Sequence, residues 1–154
     1  MACPQQAKEI RSDLEKVRRM IVSGEEVVAS IAPSFIAGFD VEGIGAMRRA
    51  LCKLGFSDAE ETAVGADFVS REYEKLMEMG SGVLISSCCP SVNLLIQKYY
   101  PDMLDCLAPV LSPMRAHCRA IKAARPGAKA VFIGPCISKN MKPTRKKPGR
   151  LPDV

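Results

Sequence analysis

Three short apolar runs, each leading directly into small residues and a proline, constrain the fold of this chain more than any other feature. They read ASIAPSF at 29–35, ISSCCPS at 85–91 and FIGPCIS at 132–138. Segments with helical spacing lie between the runs. Strands that alternate with helices of this length favour a mostly parallel sheet covered by helices. The sequence therefore predicts the α/β fold class.

Periodicity and stop signals also predict where the elements lie. Helices are expected over about 6–23, 41–54, 66–79, 90–100 and 112–124, and strands over 26–33, 82–87 and 129–134, with a weak strand candidate around 61–64. Gly55 is expected in the left-handed position that closes the second helix. Pro113 is expected at the first position of the last helix, where a missing N–H is tolerated.

The net charge of +5 belongs to the end of the chain. The last sixteen residues, KNMKPTRKKPGRLPDV, hold six basic and one acidic side chain, and residues 1–138 sum to zero. A solvated tail is the simpler interpretation, and an anionic partner is the alternative. We therefore expect no nucleic-acid function.

Cysteine usage and the start of the chain indicate the compartment. No run approaches the ~18 apolar residues of a membrane span, and the start MACPQQAKEI lacks the apolar core of a secretory signal. Seven cysteines without an export signal favour reduced thiols or metal ligands. We expect a cytoplasmic protein without a membrane partner.

Two of the three strand ends carry cysteine. Since ligands of parallel α/β sheets bind beyond the carboxyl ends of the strands, Cys88, Cys89 and Cys136 are expected at one edge of the sheet. Pro90 places the first two beside a helix N-terminus, which favours the thiolate over the thiol. A thiolate ligates iron or zinc, or attacks a disulfide. The C-x-x-C spacing or histidine pair of a structural zinc site does not occur.

The remaining cysteines and the single histidine are expected to be structural. Cys52, Cys106 and Cys118 are interpreted as small buried hydrophobes. His117 is expected in or beside the core rather than as a metal ligand. We expect neither a nucleotide-binding glycine loop nor a Ser/His/Asp catalytic arrangement.

Several motifs together have a familiar order. ISSCCPS is followed by KYYP at 98–101, LSPM at 111–114 and FIGPCISK at 132–139, and preceded by SIAPSF and by the string LGF, ET and GAD between residues 54 and 67. This pattern resembles the catalytic domain of iron-only ([FeFe]) hydrogenases over about residues 8–139. The resemblance implies the first lobe of that two-lobed domain.

The resemblance also implies a cofactor and roles for its ligands. The family holds an H-cluster, which is a [4Fe–4S] cubane joined through a cysteine to a two-iron subsite with CO and cyanide ligands. Cys89 and Cys136 would be two of the four cubane ligands, and Cys88 would donate and accept protons at the two-iron subsite. Lys139 would pair with a cyanide ligand, which suits a compact ammonium. The same pocket would be lined by Ala32, Pro33, Ser34, Ser112 and Met114.

Departures from the family pattern favour its sensory branch. Met114 stands where hydrogen-evolving members usually have glutamine, and Ala108 where they often have a relay serine. Glu72 is a candidate for the relay glutamate. The other two cubane ligands would lie in a later C-x-x-x-C motif. We therefore expect the N-terminal part of the domain, truncated or frameshifted, with no significant H2 production by this chain alone.

The expected organisation and partners follow from the same resemblance. Residues 1–5 would be a remnant of a ferredoxin-like cluster motif, 6–138 a partial hydrogenase domain, and 139–154 a basic tail, disordered or out of frame. The partners would be a ferredoxin-like electron-transfer domain or protein, with H2 or protons as substrate. The alternatives are an iron–sulfur assembly factor of the same family and a thiol-redox or binding domain without iron.

Overall fold

The computed structural model describes residues 12–80 and 82–140. At its centre lies a parallel sheet of three strands, β1 (Val27–Ile31), β2 (Asp58–Glu61) and β3 (Lys129–Ile133), in the order β2-β1-β3. All of β1 is buried, because it pairs with a strand on each side and apolar side chains cover both of its faces. The predicted α/β class, a parallel sheet flanked by helices, is confirmed.

Helices surround this sheet in the described part of the chain. They are α1 (Leu14–Val22), α2 (Phe35–Gly38), α3 (Ile44–Lys53), α4 (Ala63–Glu78), α5 (Pro90–Tyr99) and α6 (Pro113–Ala124), with 3-10 turns at Pro101–Cys106 and Ile137–Asn140. Both α5 and α6 begin on proline, as predicted. None of the helices within 12–80 and 82–140 combines the length and apolar character that a bilayer crossing requires.

The glycine predicted to end α3 does so. Gly55 has a φ of +100°. Its N–H donates to the Cys52 carbonyl, and the N–H of Phe56 donates to the Leu51 carbonyl. These two bonds satisfy carbonyls that the end of the helix would otherwise leave free.

The strand predicted over 82–87 is wrong. Ile85 forms one isolated parallel bridge with Leu107, outside the three-stranded sheet. The pairing stops there because the N–H of Ser87 donates to the hydroxyl of Tyr73 at 3.0 Å instead of to a neighbouring strand. The apolar run thus becomes a loop that is fixed by side chains.

Two smaller differences concern β2 and α2. The weak strand expected around 61–64 lies earlier, because β2 covers Asp58–Glu61 and α4 already begins at Ala63. The sequence of β2, DAEE, lacks the apolar pattern of a strand, although its first two residues are buried. The short helix α2 was not predicted.

The core lies on both sides of β1, since alternate side chains of a strand face opposite ways. The cluster on the α3 side contains Ala29, Ile31, Phe35, Met47, Leu51 and Ala59. The cluster on the α6 side contains Val28, Ile121 and Ala128. A third cluster joins α4, α6 and the loop before α5, and its buried members are Val69, Ala108 and Val110. That third cluster supports the cysteine-bearing loop.

Asp58, the first residue of β2, joins three elements. Its buried carboxylate accepts a hydrogen bond from Arg125 (Nη2 to Oδ2, 2.6 Å), is paired with Arg48 of α3, and accepts the N–H of Ala59. Burial pushes the pKa of this carboxyl up, but the hydrogen bonds and the two guanidinium charges outweigh burial. The pKa of Asp58 therefore lies below its usual value.

Replacing Asp58 by asparagine is expected to lower the free energy of unfolding by about 1.5 kcal/mol at pH 7. Because the folded-state pKa is depressed, the carboxylate stabilises the fold above its unfolded pKa, near pH 4. This contribution is lost as the pH falls through the folded value. Urea unfolding from pH 7 to pH 3 should therefore show a shrinking difference between the variant and the wild type. A difference that keeps its size in acid contradicts this assignment.

Candidate functional site

The carboxyl ends of β1 and β3 meet at one edge of the sheet. The N–H of Ala32, directly after β1, donates to the carbonyl of Ile133 at 2.9 Å. A Cβ on Gly134 would lie 2.9 Å from the Cβ of Ala32, so only glycine permits this approach of the two segments. The segment Ala32–Ser34 and the segment that leads to Cys136 therefore lie side by side, with Pro33 and Ser34 exposed.

Cys136 lies on the short link between β3 and the turn Ile137–Asn140. Its side chain is exposed, and its Sγ lies 3.2 Å from the Ser138 hydroxyl. The pKa of this thiol is lowered, first by the Ser138 hydrogen bond, which outweighs burial, and then by the N–H groups of Ser138 and Lys139 and the lysine charge. The thiolate of Cys136 is thus easier to form than that of an unperturbed cysteine.

Lys139 is held close to this thiol. Its N–H donates to the Cys136 carbonyl at 3.2 Å, and its Nζ lies 5.3 Å from the centre of the Phe132 ring. An ammonium over an aromatic face is stabilised by the negative face of the ring. The structure thus places a cationic residue in the turn that directly follows Cys136.

Cys88 and Cys89 occupy the loop between α4 and α5. Cys89 is the N-cap residue of α5 and is exposed, whereas Cys88 is partly buried against the third core cluster. Helix α5 contacts the turn Ile137–Asn140, which directly follows Cys136. The helix that follows Cys89 and the turn that follows Cys136 are therefore neighbours in the fold.

Ser112 and Met114 lie at the start of α6. Ser112 is the N-cap of α6, and both residues are partly buried. Val110, two residues earlier, accepts a hydrogen bond from the Ser87 hydroxyl at 2.7 Å. The predicted lining residues at the start of α6 are thus tied to the loop that carries Cys88.

His117 forms a buried polar chain beneath this edge. Its Nε2–H donates to the Glu60 carboxylate at 3.1 Å, and its Nδ1 is hydrogen-bonded to the Ser30 hydroxyl at 2.8 Å. The Ser30 hydroxyl is also hydrogen-bonded to the Thr62 hydroxyl at 2.8 Å. Ser30 is fully buried, so its oxygen cannot reach a substrate. The expectation that His117 lies in the core is confirmed. The buried polar chain links β1, β2 and α6.

Two exposed thiols meet part of the needs of an iron–sulfur cofactor. Soft thiolates are the ligands that such clusters select, and Cys89 and Cys136 offer two exposed thiols. Among the residues that the structure describes, no group of three His, Cys, Asp or Glu side chains forms a complete metal site. The residues therefore fit part of a ligand set.

Tyr73 and Asn93 support the cysteine loop and were missed by sequence reasoning. Tyr73 follows Val69 by one helical turn on the apolar face of α4, and that spacing was the available signal.

Glu72, the relay candidate, is exposed and paired with Lys75 at 2.7 Å. The expectation of burial is wrong for Cys52, which is exposed on α3.

Comparison with known proteins identifies the family. The protein-family model described as iron only hydrogenase large subunit, C-terminal domain, matches residues 25–150. Iron hydrogenase 1 of Clostridium pasteurianum is 29% identical in an alignment 157 residues long. The alignment covers 88% of this chain and 27% of that protein. The chain thus spans about a quarter of the length of that curated relative.

Solved structures show the same fold. An [FeFe]-hydrogenase studied for oxygen inactivation at the 2Fe subcluster of the H cluster matches with a TM-score of 0.64 at 21% identity. A variant of apo [FeFe]-hydrogenase HydA1 from Chlamydomonas reinhardtii matches with a TM-score of 0.62 at 21% identity. Each match covers 84% of this chain and 39% of the other. The chain belongs to the family defined by the C-terminal domain of the iron-only hydrogenase large subunit.

Proposed function

We propose that this chain supplies part of an H-cluster-binding domain, with Cys89 and Cys136 as two thiolate ligands of its [4Fe–4S] cubane. The observation that carries the proposal is the contact of α5, which begins after Cys89, with the turn that follows Cys136. The lowered pKa of the Cys136 thiol supports the same role, since iron binds the thiolate. The full-length protein would serve proton and H2 redox chemistry or H2 sensing.

Other residues of the edge have roles around that cluster. Cys88 would hold a proton at its Sγ, and Lys139 would place its ammonium against an anionic ligand of the two-iron subsite. The bound cofactor would provide the redox centre at which protons and H2 interconvert. The walls of its pocket would be formed by Ala32, Pro33, Ser34, Ser112 and Met114. A ferredoxin-like protein or domain would deliver the electrons.

The side chain of Met114 favours a sensory role over fast turnover. A thioether accepts hydrogen bonds only weakly and donates none, so this position offers no N–H to a ligand of the two-iron subsite. The neighbouring Arg115 has a buried Nη1 that makes no hydrogen bond within the described residues. A buried donor of this kind is costly without an acceptor, and an anionic cofactor would supply one.

Anaerobic reconstitution with ferrous iron, sulfide and a small thiol tests the proposal. The wild-type chain is expected to bind iron and sulfide in equal amounts, with the visible absorption of sulfur-to-iron charge transfer. Cys89→Ser and Cys136→Ser should each reduce bound iron to the level of a blank. Cys52→Ser is the matched control, because it removes an exposed thiol on α3 and should leave the iron content unchanged.

Two results would contradict this assignment. One is a wild-type chain that binds no iron, which would favour thiol chemistry without a metal. The other is an equal loss of iron in all three serine variants, which would indicate non-specific binding by exposed thiols.

A further inference from the structure

Tyr73 contacts every residue of the loop segment Ser86–Cys88. Its hydroxyl accepts the N–H of Ser87 at 3.0 Å and lies 3.1 Å from the Ser86 hydroxyl. It also lies 3.5 Å from the Ser87 hydroxyl and 3.8 Å from the Cys88 sulfur. One oxygen thus joins the rigid helix α4 to the segment that ends at the cysteine pair.

The ring behind that hydroxyl is itself fixed. Tyr73 packs against the cluster of Val69, Ala108 and Val110, which is the cluster that Cys88 also contacts. An aromatic side chain held in a packed core has few alternative rotamers. The hydroxyl therefore has a defined position from which to orient the loop.

Two further hydrogen bonds hold Ser87 and do not involve the sulfur of Cys88. The Ser87 hydroxyl donates to the Val110 carbonyl at 2.7 Å, and the Asn93 amide donates to the Ser87 carbonyl at 2.9 Å. These bonds hold the residue before Cys88, whereas Tyr73 holds the same residue and also contacts the thiol. Of these hydrogen bonds, the one from Tyr73 is the one that reaches the thiol.

We infer that Tyr73 is a positioning residue for the proton-carrying thiol: its hydroxyl holds the Ser86–Cys88 segment so that the sulfur of Cys88 keeps one orientation. The purpose of that orientation rests on the proposed function, but the positioning itself does not require a cluster. It can therefore be tested on the chain without iron.

Alkylation of thiols in the iron-free chain, followed by peptide mass spectrometry, measures how accessible the sulfur of Cys88 is, and accessibility changes when the sulfur leaves its held orientation. Tyr73→Phe keeps the ring and removes the hydroxyl, so Ser87 loses its acceptor. We expect Cys88 to be alkylated roughly tenfold faster, the factor for one net hydrogen bond. The amide of Ser87 should exchange its hydrogen faster by a similar factor. Tyr100→Phe, at an exposed tyrosine, is the control and should change neither rate.

The thiol of Cys118 separates local positioning from general loosening. It is partly buried on α6, and burial raises its pKa, with Lys122 opposing the shift. If Tyr73→Phe speeds alkylation at Cys88 and leaves Cys118 unchanged, the inference holds. Equal acceleration at both thiols, or rates at Cys88 within about twofold of wild type, overturns it. If Tyr73→Phe fails to fold, Ser86→Ala takes its place, because it removes the Ser86 hydroxyl that contacts the Tyr73 hydroxyl. The alkylation rates at Cys88 and Cys118 in that variant then decide the question by the same criteria.

Discussion

Replacing His117 by alanine should lower the free energy of unfolding by about 3 kcal/mol, because the change combines a cavity with broken buried hydrogen bonds. His117 is 1% exposed and joins the Ser30 hydroxyl of β1 to Glu60 of β2. Without the imidazole, the fully buried Ser30 keeps only its bond with Thr62 among these contacts. Urea unfolding followed by circular dichroism measures the loss.

Glu60, at the exposed end of the buried polar chain, provides the control for His117. The Glu60 side chain is 38% exposed, so water can replace its bond to the histidine. Glu60→Gln should therefore cost less than about 1 kcal/mol. A His117→Ala variant within that same margin of wild type would mean that the buried chain contributes nothing to stability.

Replacing Gly65 by alanine should destabilise the fold by about 2–3 kcal/mol through overpacking. The added Cβ would collide with the carbonyl oxygen of Pro113 and would lie 2.7 Å from the Cβ of His117. Both contacts belong to α6, which crosses α4 at this glycine. Backbone atoms cannot move aside as a flexible side chain can, so the helices would have to separate.

The sign of this effect distinguishes packing from helix propensity. Alanine in a helix is normally favoured over glycine by about 1 kcal/mol, and at Gly45 of α3 the added Cβ would meet only Arg49 Nη1, at 3.7 Å. Gly45→Ala should therefore be neutral or stabilising. Thermal unfolding of both variants tests the pair, and a stabilised Gly65→Ala variant would contradict the close crossing of α4 and α6.

Sequence patterns predicted the elements whose signals are local. The β-branched run at β1, the proline starts of α5 and α6, and Gly55 at the end of α3 are all where expected. Each follows from a residue's own backbone preference or from periodic burial. The parallel arrangement followed from the alternation of strands and helices.

The errors occur where long-range contacts override local preference. The run at 82–87 has the composition of a strand, but Tyr73 takes the N–H that a strand would need. DAEE has the composition of a loop, but the bonds of Asp58 to two arginines allow it to enter the sheet. Such partners are distant in sequence, so no window of residues could show them.

The residues of the candidate site, which stay predictions, could be named from the sequence, but the side chains that support them could not. Cys88, Cys89 and Cys136 were expected at one sheet edge because each follows an apolar run. Cys136 follows β3, whereas Cys88 and Cys89 follow a loop outside the sheet, and α5 contacts the turn after Cys136. Tyr73 gave no separate chemical signal, since a tyrosine on an apolar helix face is normally core. The polar chain through His117 was equally hidden, because Ser30 and Thr62 lie in segments that were interpreted as strands.

The proposed function requires that Cys89 and Cys136 hold one and the same iron–sulfur cluster. Electron paramagnetic resonance of the reconstituted chain, reduced anaerobically with dithionite, tests this requirement most directly. We predict a reduced [4Fe–4S] signal in the wild type and in Cys52→Ser. We also predict that Cys89→Ser alone and Cys136→Ser alone each remove that signal. A signal of wild-type intensity in either single variant would contradict the shared cluster.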